Sequence, residues 1–293
     1  MVAVKSISES LARFGLDFGV EKVPMYAEDC VGQPSGVWGV RKTSSKEILG
    51  VVGKNYVPLQ NDVAFKPFQG FIDSGFAEIE KGGTFQNDAV VWMQARLKSD
   101  PITIVKGDDI QKYILLSHGH NGKMAVRFGF TPVRVICQNT LAMANRDRDS
   151  QLIRIKHSTQ TELALQDIEK AMDLANATFN KTALDYMLLA RKNITKALFT
   201  QYVTKVFSLK NGSETEKTKT SKVLEKMTKL FETGAGQDLS LVRGTYWAAY
   251  NAVTDHLTHS AGYDANKRLE SSHLGESARI NAKALDLALI MAT

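Results

Sequence analysis

The stretch QKYILLSHGHNGKMAVRFGF, residues 111–130, decides the fold class of this chain. Two apolar runs with aromatic and β-branched residues, which are typical of strands, flank the polar pentapeptide HGHNG at 118–122. Its Asn121-Gly122 pair favours the tight turn of an antiparallel hairpin, because both residues accept positive φ angles. The stretch therefore predicts two antiparallel strands joined at Asn121-Gly122.

Strand patterns also precede this hairpin. Residues 37–43 and 89–98 alternate apolar and polar side chains, and residues 47–59 are rich in β-branched residues. Such alternation is expected of a strand with two different faces, since successive side chains point to opposite sides of a sheet. These segments predict that the hairpin belongs to a larger antiparallel sheet.

One helix is expected between these strands, in LQNDVAFKPFQGFIDSG at 59–75. Asn61 or Asp62 can cap its N-terminus, and Gly75 is a natural stop. Pro67 lies inside the pattern and predicts a kink, because proline lacks the N–H group that a helix interior uses.

The rest of the chain has a helical pattern. From about residue 158, apolar residues recur at helical spacing, first in a long segment that ends near Asn193. Residues 209–222, LKNGSETEKTKTSK, have no apolar period and are predicted to form a mobile surface loop. Shorter helices are predicted at 195–208, 221–233, 242–259 and 276–291.

The order of elements predicts an α+β protein, because a run of strands is followed by a run of helices. Its N-terminal half is antiparallel and β-rich with a packed helix, and its C-terminal half is all-helical. We divide the chain into an N-terminal arm at 1–36, a core of antiparallel sheet plus helix at 37–157, and a helical region at 158–293.

Composition favours a cytoplasmic protein with an acidic partner. The chain has 37 Lys+Arg and 31 Asp+Glu, a net charge of +6, which suits nucleic acid but also serves solubility alone. Two cysteines, Cys30 and Cys137, are too few for a disulfide framework or a four-ligand zinc site. The sequence contains neither an apolar run of about 18 residues, as a membrane span needs, nor a signal-peptide core.

Motifs of catalysis and cofactor binding are missing from the sequence. It contains no P-loop, no dinucleotide-binding glycine turn and no nucleophile elbow. We therefore predict no catalytic residue and no cofactor. One alternative stays open, a metal-dependent nuclease, since paired carboxylates can bind magnesium. Its candidate ligands are Asp108, Asp109, Asp147 and Asp149.

Histidines are the other candidate metal ligands. His118 and His120 could face one metal, but no carboxylate or cysteine is close in sequence, which favours polar turn residues. His256 and His259 share a helix face but lack the glutamate of the zinc-protease motif, which favours capping or packing roles. The prediction is that no metal binds.

Most of the positive excess lies in one fifth of the chain. Residues 101–160 hold nine lysines and arginines against four aspartates, a difference of +5. Cations beside aromatic rings suit single-stranded nucleic acid, because phosphates attract cations and unstacked bases stack on rings. The predicted contacts are Lys112, Lys123, Arg127, Arg134, Gln138, Arg146, Arg148, Arg154 and Lys156. The predicted stacking rings, each of which could instead point into the core, are Tyr56, Trp92, Tyr113 and Phe128.

The segment after the hairpin has two interpretations. VICQNTLAMANR, residues 135–146, could form a helix after Pro132 and expose Gln138, Asn139 and Arg146 to phosphates and base edges. Equally, Gln138 and Asn139 could satisfy buried backbone groups where the sheet meets the helices. The residues alone leave both interpretations open.

Three segments resemble the signature of a known family. They are VVGKNYVPLQNDVAF at 51–65, PVRVICQNTLAMA at 132–144 and GTYWAAYNAVTDHLTH at 244–259. In this order and at comparable separations, over about residues 35–260, they resemble the phage/plasmid-like protein family of the domain of unknown function 932. The resemblance implies a role in mobile elements and assigns no activity.

The element order is also similar to the core of single-strand annealing recombinases of the RecT and Redβ kind. That resemblance implies a ring or filament that holds single-stranded DNA in a basic groove without nucleotide hydrolysis. We therefore predict sequence-independent binding of single-stranded DNA and strand annealing in phage or plasmid recombination, by a homo-oligomer. The open alternatives are the nuclease and a mobile-element protein that binds a host protein.

Overall fold

The computed structural model describes residues 6–26, 34–141, 152–155, 168–262 and 264–293. Antiparallel sheets occupy the N-terminal half and helices the C-terminal half, which confirms the predicted α+β class. The chain forms two compact units. The first comprises Met1–Ser99, Tyr113–Phe130 and Asp149–Ala175, and the second comprises Asp100–Lys112, Thr131–Arg148 and Asn176–Thr293.

The elements are numbered in chain order. The strands are β1 (Val20–Tyr26), β2 (Pro34–Lys42), β3 (Ile48–Val52), β4 (Ala77–Phe85), β5 (Val90–Leu97), β6 (Ile102–Val105), β7 (Asp108–Gly119), β8 (Val126–Arg134) and β9 (Leu152–Ile155). The helices are α1 (Ile7–Arg13), α2 (Asn61–Phe65), α3 (Pro67–Asp73), α4 (Ile168–Arg191), α5 (Lys196–Phe207), α6 (Glu214–Thr233), α7 (Tyr246–Asp255), a π-helical turn (His256–Ser260), α8 (Ala265–Leu274) and α9 (Glu276–Ala292).

The segment that we predicted to be an N-terminal arm is part of the first unit. Ser6 caps α1, since its hydroxyl accepts a hydrogen bond from the Glu9 N–H group. Strand β1 pairs antiparallel with β2, and β2 pairs with β3, so these strands form a three-stranded sheet. Val20 of β1 lies in the core cluster of this sheet together with Val40 of β2 and Val52 of β3. The predicted boundary at residue 36 therefore falls within β2.

The helix predicted at 59–75 is two short helices. Pro67 is the first residue of α3, so the predicted kink is a complete break after Phe65. The predicted N-terminal caps, Asn61 and Asp62, are wrong, because Gln60 occupies the N-cap position of α2 and its side chain makes no capping bond there. The predicted stop is confirmed, because α3 ends at Asp73 and Gly75 follows with a positive φ of 74°. The Gln60 amide instead accepts from the N–H group of Val20 and donates to its carbonyl group.

Asn61 is a buried structural residue that organises the two histidines of the hairpin. Its Nδ2 group donates to the carbonyl oxygen of Leu16 at 2.9 Å, which fixes the orientation of the amide. Its Oδ1 atom then faces Nε2 of His118 at 3.0 Å and Nε2 of His120 at 3.1 Å. Both histidines are fully buried, and His118 belongs to β7, so the interpretation as polar turn residues is wrong for His118.

The second sheet contains the predicted hairpin. Its strands are ordered β4-β5-β7-β8-β9, and β6 pairs with β7. Strands β7 and β8 are hydrogen-bonded neighbours, as predicted. Residues 120–125 connect them, so the connection is longer than the predicted tight turn, and of Asn121 and Gly122 only Gly122 has a positive φ, of 70°. Strand β5 buries Trp92 as well as Met93, so both faces of this strand are covered and its alternating pattern marks no exposed face.

The predicted mobile loop at 209–222 is largely helical. Helix α6 starts at Glu214, where the Ser213 side chain accepts from the Glu216 N–H group and the Glu216 carboxylate accepts from the Ser213 N–H group. This capping box is a local start signal that does not depend on an apolar period, and Ser-x-x-Glu is visible in the sequence. Residues 209–222 therefore fold without the amphipathic pattern on which the prediction relied.

Gly50 in β3 provides the first testable prediction. A Cβ atom at this position would overlap the backbone of Asn121, so Gly50→Ala should lower the free energy of unfolding by about 1–3 kcal/mol through overpacking. Gly53 is the matched control, because a Cβ atom there has no neighbour within 4 Å. Urea unfolding should show a Gly53→Ala change of at most about 0.5 kcal/mol. Equal effects of the two substitutions would contradict the packing of β3 against the hairpin turn.

Candidate nucleic-acid interface

Arg134, one of the predicted nucleic-acid contacts, is fully buried in the second unit. Its Nε and Nη2 groups donate to the two carboxylate oxygens of Asp108 at 2.7 and 2.6 Å. The indole N–H group of Trp247 donates to the same carboxylate at 2.8 Å, and the guanidinium lies 5.6 Å from the indole centroid. The predicted nucleic-acid contact of Arg134 is therefore corrected, because its charge is compensated inside the protein.

The residues after Arg134 form a tight turn, so the predicted helix at 135–146 is wrong over its described part. The Arg134 N–H group donates to the Asn139 carbonyl oxygen at 3.0 Å, and Val133 and Thr140 form an antiparallel bridge. Gln138 closes the turn with a positive φ of 56°. Its side chain is exposed as predicted, but it donates to the Val135 carbonyl oxygen and thereby stabilises the turn.

Asn139 has the structural role that we offered as the second interpretation. Its side chain is buried and donates to the Thr254 hydroxyl at 3.2 Å. Its Oδ1 atom accepts from Nε2 of His259 at 3.0 Å, and the Cys137 carbonyl oxygen lies 2.9 Å from the same nitrogen. The family segments 132–144 and 244–259 are therefore bonded to each other within the second unit.

His256 and Cys137 lie near this turn and are poor candidates for catalysis. Burial lowers the pKa of His256 to about 4, and its ring packs edge-on against Phe207. Burial raises the pKa of the Cys137 thiol, which opposes the thiolate form that nucleophilic chemistry needs. The packing role predicted for His256 agrees with this geometry.

Three predicted cations remain at or near the surface in the described residues. Lys123 is exposed in the hairpin turn, and Arg127 is half-buried on β8. The register pairs Arg127 directly with Arg154 of β9, so two arginine positions are opposite each other in neighbouring strands of the first unit. Lys112 is half-buried in the second unit, where its ammonium lies 4.7 Å from the centroid of Phe179 and burial lowers its pKa.

Other predicted contacts lie outside the described residues. They are Arg146, Arg148 and Lys156. Arg154 is described through its backbone only.

Three of the four predicted stacking rings are buried. Trp92 packs against Phe85, Tyr113 donates its hydroxyl to Glu80, and Phe128 is 1% exposed. Tyr56 is partly buried and donates to the Gly119 carbonyl oxygen at 3.0 Å, and burial raises its pKa. None of these rings is open to a nucleotide base in this structure, since each faces the core.

The structure exposes a different ring, which the sequence analysis missed. Phe76, just before β4, is 69% exposed, and its carbonyl oxygen accepts from the N–H group of Lys98. The side chain of Lys98 is exposed too. An exposed phenylalanine beside a lysine is the combination that stacking on single strands uses. Its only signal in the sequence is a phenylalanine directly after the helix stop at Gly75.

The nuclease alternative has little support from the described aspartates. Asp108 is fully buried in its pair with Arg134, and Asp109 accepts from the Thr103 hydroxyl at 2.6 Å. Asp147 and Asp149 lie outside the described residues. Over the ranges that the structure describes, no three histidine, cysteine or acidic side chains come together to hold a metal ion.

Fold and surface together define an α+β protein with arginine positions paired across two strands of its sheet. The chain belongs to the family described as Domain of unknown function (DUF932), whose model matches residues 48–282. All three segments on which the family resemblance depended fall within this range. No curated protein and no solved structure matches the chain. Among the helices that the structure describes, each is too short or too polar to cross a membrane.

Proposed function

We propose that this protein is a cytoplasmic single-stranded DNA-binding protein that anneals complementary strands during phage or plasmid recombination. The observation that carries the proposal is the pairing of Arg127 with Arg154 across β8 and β9. The two positions are directly opposite in the register of neighbouring strands, so they bring two arginines to one place on the sheet. Two cationic positions so close together suit consecutive phosphates of one nucleic-acid strand.

The contact is expected to be to the backbone of the nucleic acid. Lys123 is exposed in the turn that leads into β8, so it extends the cationic surface of Arg127 in the same unit. Lysine and arginine recognise phosphate in any sequence, whereas the rings predicted to stack are buried. Phe76 takes their place as the candidate stacking residue. Binding should therefore be sequence-independent and strongly dependent on salt.

Annealing adds a requirement for assembly, since two strands must be presented to each other with their bases outward. A homo-oligomer, as a ring or a filament, would repeat the β8–β9 surface along a strand. We propose such an assembly as part of the function. Light scattering of the protein with and without an oligonucleotide measures the molar mass of this assembly.

The test is fluorescence anisotropy with labelled oligonucleotides of several sequences, from low to physiological salt. Replacing Arg127 and Arg154 by glutamine should lower the slope of log affinity against log salt by about 1.4, because each lost phosphate contact accounts for about 0.7. The matched control changes two exposed arginines of the second unit, Arg191 and Arg243, to glutamine. This control removes the same charge and should leave the slope unchanged.

Two outcomes would overturn the proposal. One is the absence of single-strand binding by the unchanged protein even at low salt. The other is an equal change of the salt slope in the Arg127/Arg154 variant and in its control. Such a result would mean that the two arginines contribute only through the net charge of the protein. Annealing is measured separately, from the change in fluorescence when labelled and quenched complementary oligonucleotides pair. If the protein binds single strands but does not accelerate their pairing, the proposal of binding stands and the proposal of annealing is overturned.

A further inference from the structure

Helix α6 of the second unit presents a surface that lies outside the predicted nucleic-acid contacts. Its capping box and its buried residues Thr220 and Met227 hold the helix on the second unit. A helix fixed in this way keeps its outward side chains in a constant arrangement. The mobile loop that we predicted for its first half could not do so.

Four lysines lie along the outward side of α6, and we refer to them as the lysine row: Lys219, Lys222, Lys226 and Lys229. All four are exposed. Their spacing of three, four and three residues places them within an arc of about 80° on a helix of 3.6 residues per turn. With a rise of about 1.5 Å per residue, the row is about 15 Å long.

The lysine row keeps its charge available for a partner. Within the part of the chain that the structure describes, α6 forms one ion pair through a lysine, between Lys217 and Glu214, and neither residue belongs to the row. Glu225 and Glu232 are also exposed on α6 and lie three or four residues from members of the row, so they reduce its net charge in part. The charge of Lys226 also acts within the second unit. It adds to the burial that lowers the pKa of His256, and it opposes the burial that raises the pKa of Asp255.

We infer that the lysine row binds the phosphate backbone of a nucleic-acid strand as a second contact surface. A single strand carries one negative charge per nucleotide, so the four lysine charges can compensate the charges of four phosphates. Lysine is a compact charge on a flexible stem, which follows a backbone without reading bases. The inference rests on the proposed function, since it assigns a second surface to the same ligand.

The test replaces the four lysines of the row by glutamine, which has a similar helix propensity. With single-stranded oligonucleotides, the slope of log affinity against log salt should fall by about 2.8, at about 0.7 for each lost phosphate contact. The matched control replaces four exposed lysines of the same unit that share no helix face, and its slope should stay at the wild-type value. These lysines are Lys192, Lys196, Lys205 and Lys210. Far-ultraviolet circular dichroism and urea unfolding confirm that both variants are folded.

The outcomes separate this inference from the proposed function. If the unchanged protein binds and the Arg127/Arg154 variant weakens binding while the row variant matches its control, the row is not a contact surface and the proposed function stands. If the unchanged protein binds no single strand, both are overturned. Poly-glutamate is the competing probe. Binding of poly-glutamate by the row as tight as that of the oligonucleotide would identify an acidic polypeptide as the ligand and overturn the inference.

Discussion

Replacing Asp108 by alanine is expected to lower the free energy of unfolding by about 3–5 kcal/mol, because it leaves a fully buried arginine without its counter-charge. Both carboxylate oxygens of Asp108 accept hydrogen bonds from Arg134, and one also accepts from Trp247. The substitution therefore removes an acceptor from three donor groups at once, and Nη2 of Arg134 keeps only its longer bond to the Gly236 carbonyl oxygen. Urea unfolding followed by tryptophan fluorescence measures the loss, since Trp247 itself reports on the site.

Two further variants make this prediction specific. Asp109→Ala is the matched control, because Asp109 is partly exposed and its bond to Thr103 is at the surface, so a change within about 1 kcal/mol is expected. The double variant Asp108→Leu with Arg134→Met removes both charges and should be less destabilised than Asp108→Ala alone. A double variant at least as unstable as the single one would contradict the account of a compensated buried charge.

The second large effect is expected at Asn61 in the first unit. Asn61→Ala removes the acceptor that faces Nε2 of His118 and of His120, together with the donor to the Leu16 carbonyl oxygen. An orphaned buried polar group costs about 1–3 kcal/mol, so a total loss of about 3 kcal/mol or more is expected. Urea unfolding of the whole chain measures it.

The neighbouring residue supplies the control for Asn61. Asp62 is exposed on the same short helix, and Asp62→Ala should change the free energy of unfolding by at most about 0.5 kcal/mol. A loss at Asn61 no larger than that at Asp62 would show that the two histidines find other partners. The polar cluster under the hairpin would then be dispensable.

Local signals in the sequence were sufficient for the class of fold. Asn121-Gly122 requires only its own backbone angles to define a turn, and Ser6 needs only the first turn of α1 to act as its cap. Helical periodicity over the C-terminal half of the chain also needs no distant partner. The capping box at Ser213 is a signal of the same local kind, and the error at 209–222 came from giving more weight to the missing apolar period.

The candidate site depended on contacts that no local pattern contains. The segment around Arg134 contains no sign that this arginine is buried. The residues that compensate it in the interior are distant in sequence: Asp108 lies 26 residues earlier and Trp247 more than a hundred residues later. The alternation around Trp92 is typical of a strand with one exposed face, yet the side chains on both faces of β5 are buried. Alternation in a sequence identifies the two faces of a strand but not whether other elements cover them.

The sequence by itself determined the α+β class, the hairpin at its centre and the family of the chain. Only the tertiary structure decided which cations are exposed, because a charge is buried or solvated according to partners that are distant in sequence. Arg134, which we predicted to be exposed, is buried for this reason. Lys219, which we predicted to lie in a mobile loop, is on the same helix as Lys226 and Lys229, since the capping box starts α6 at Glu214 and Thr220 and Met227 are buried.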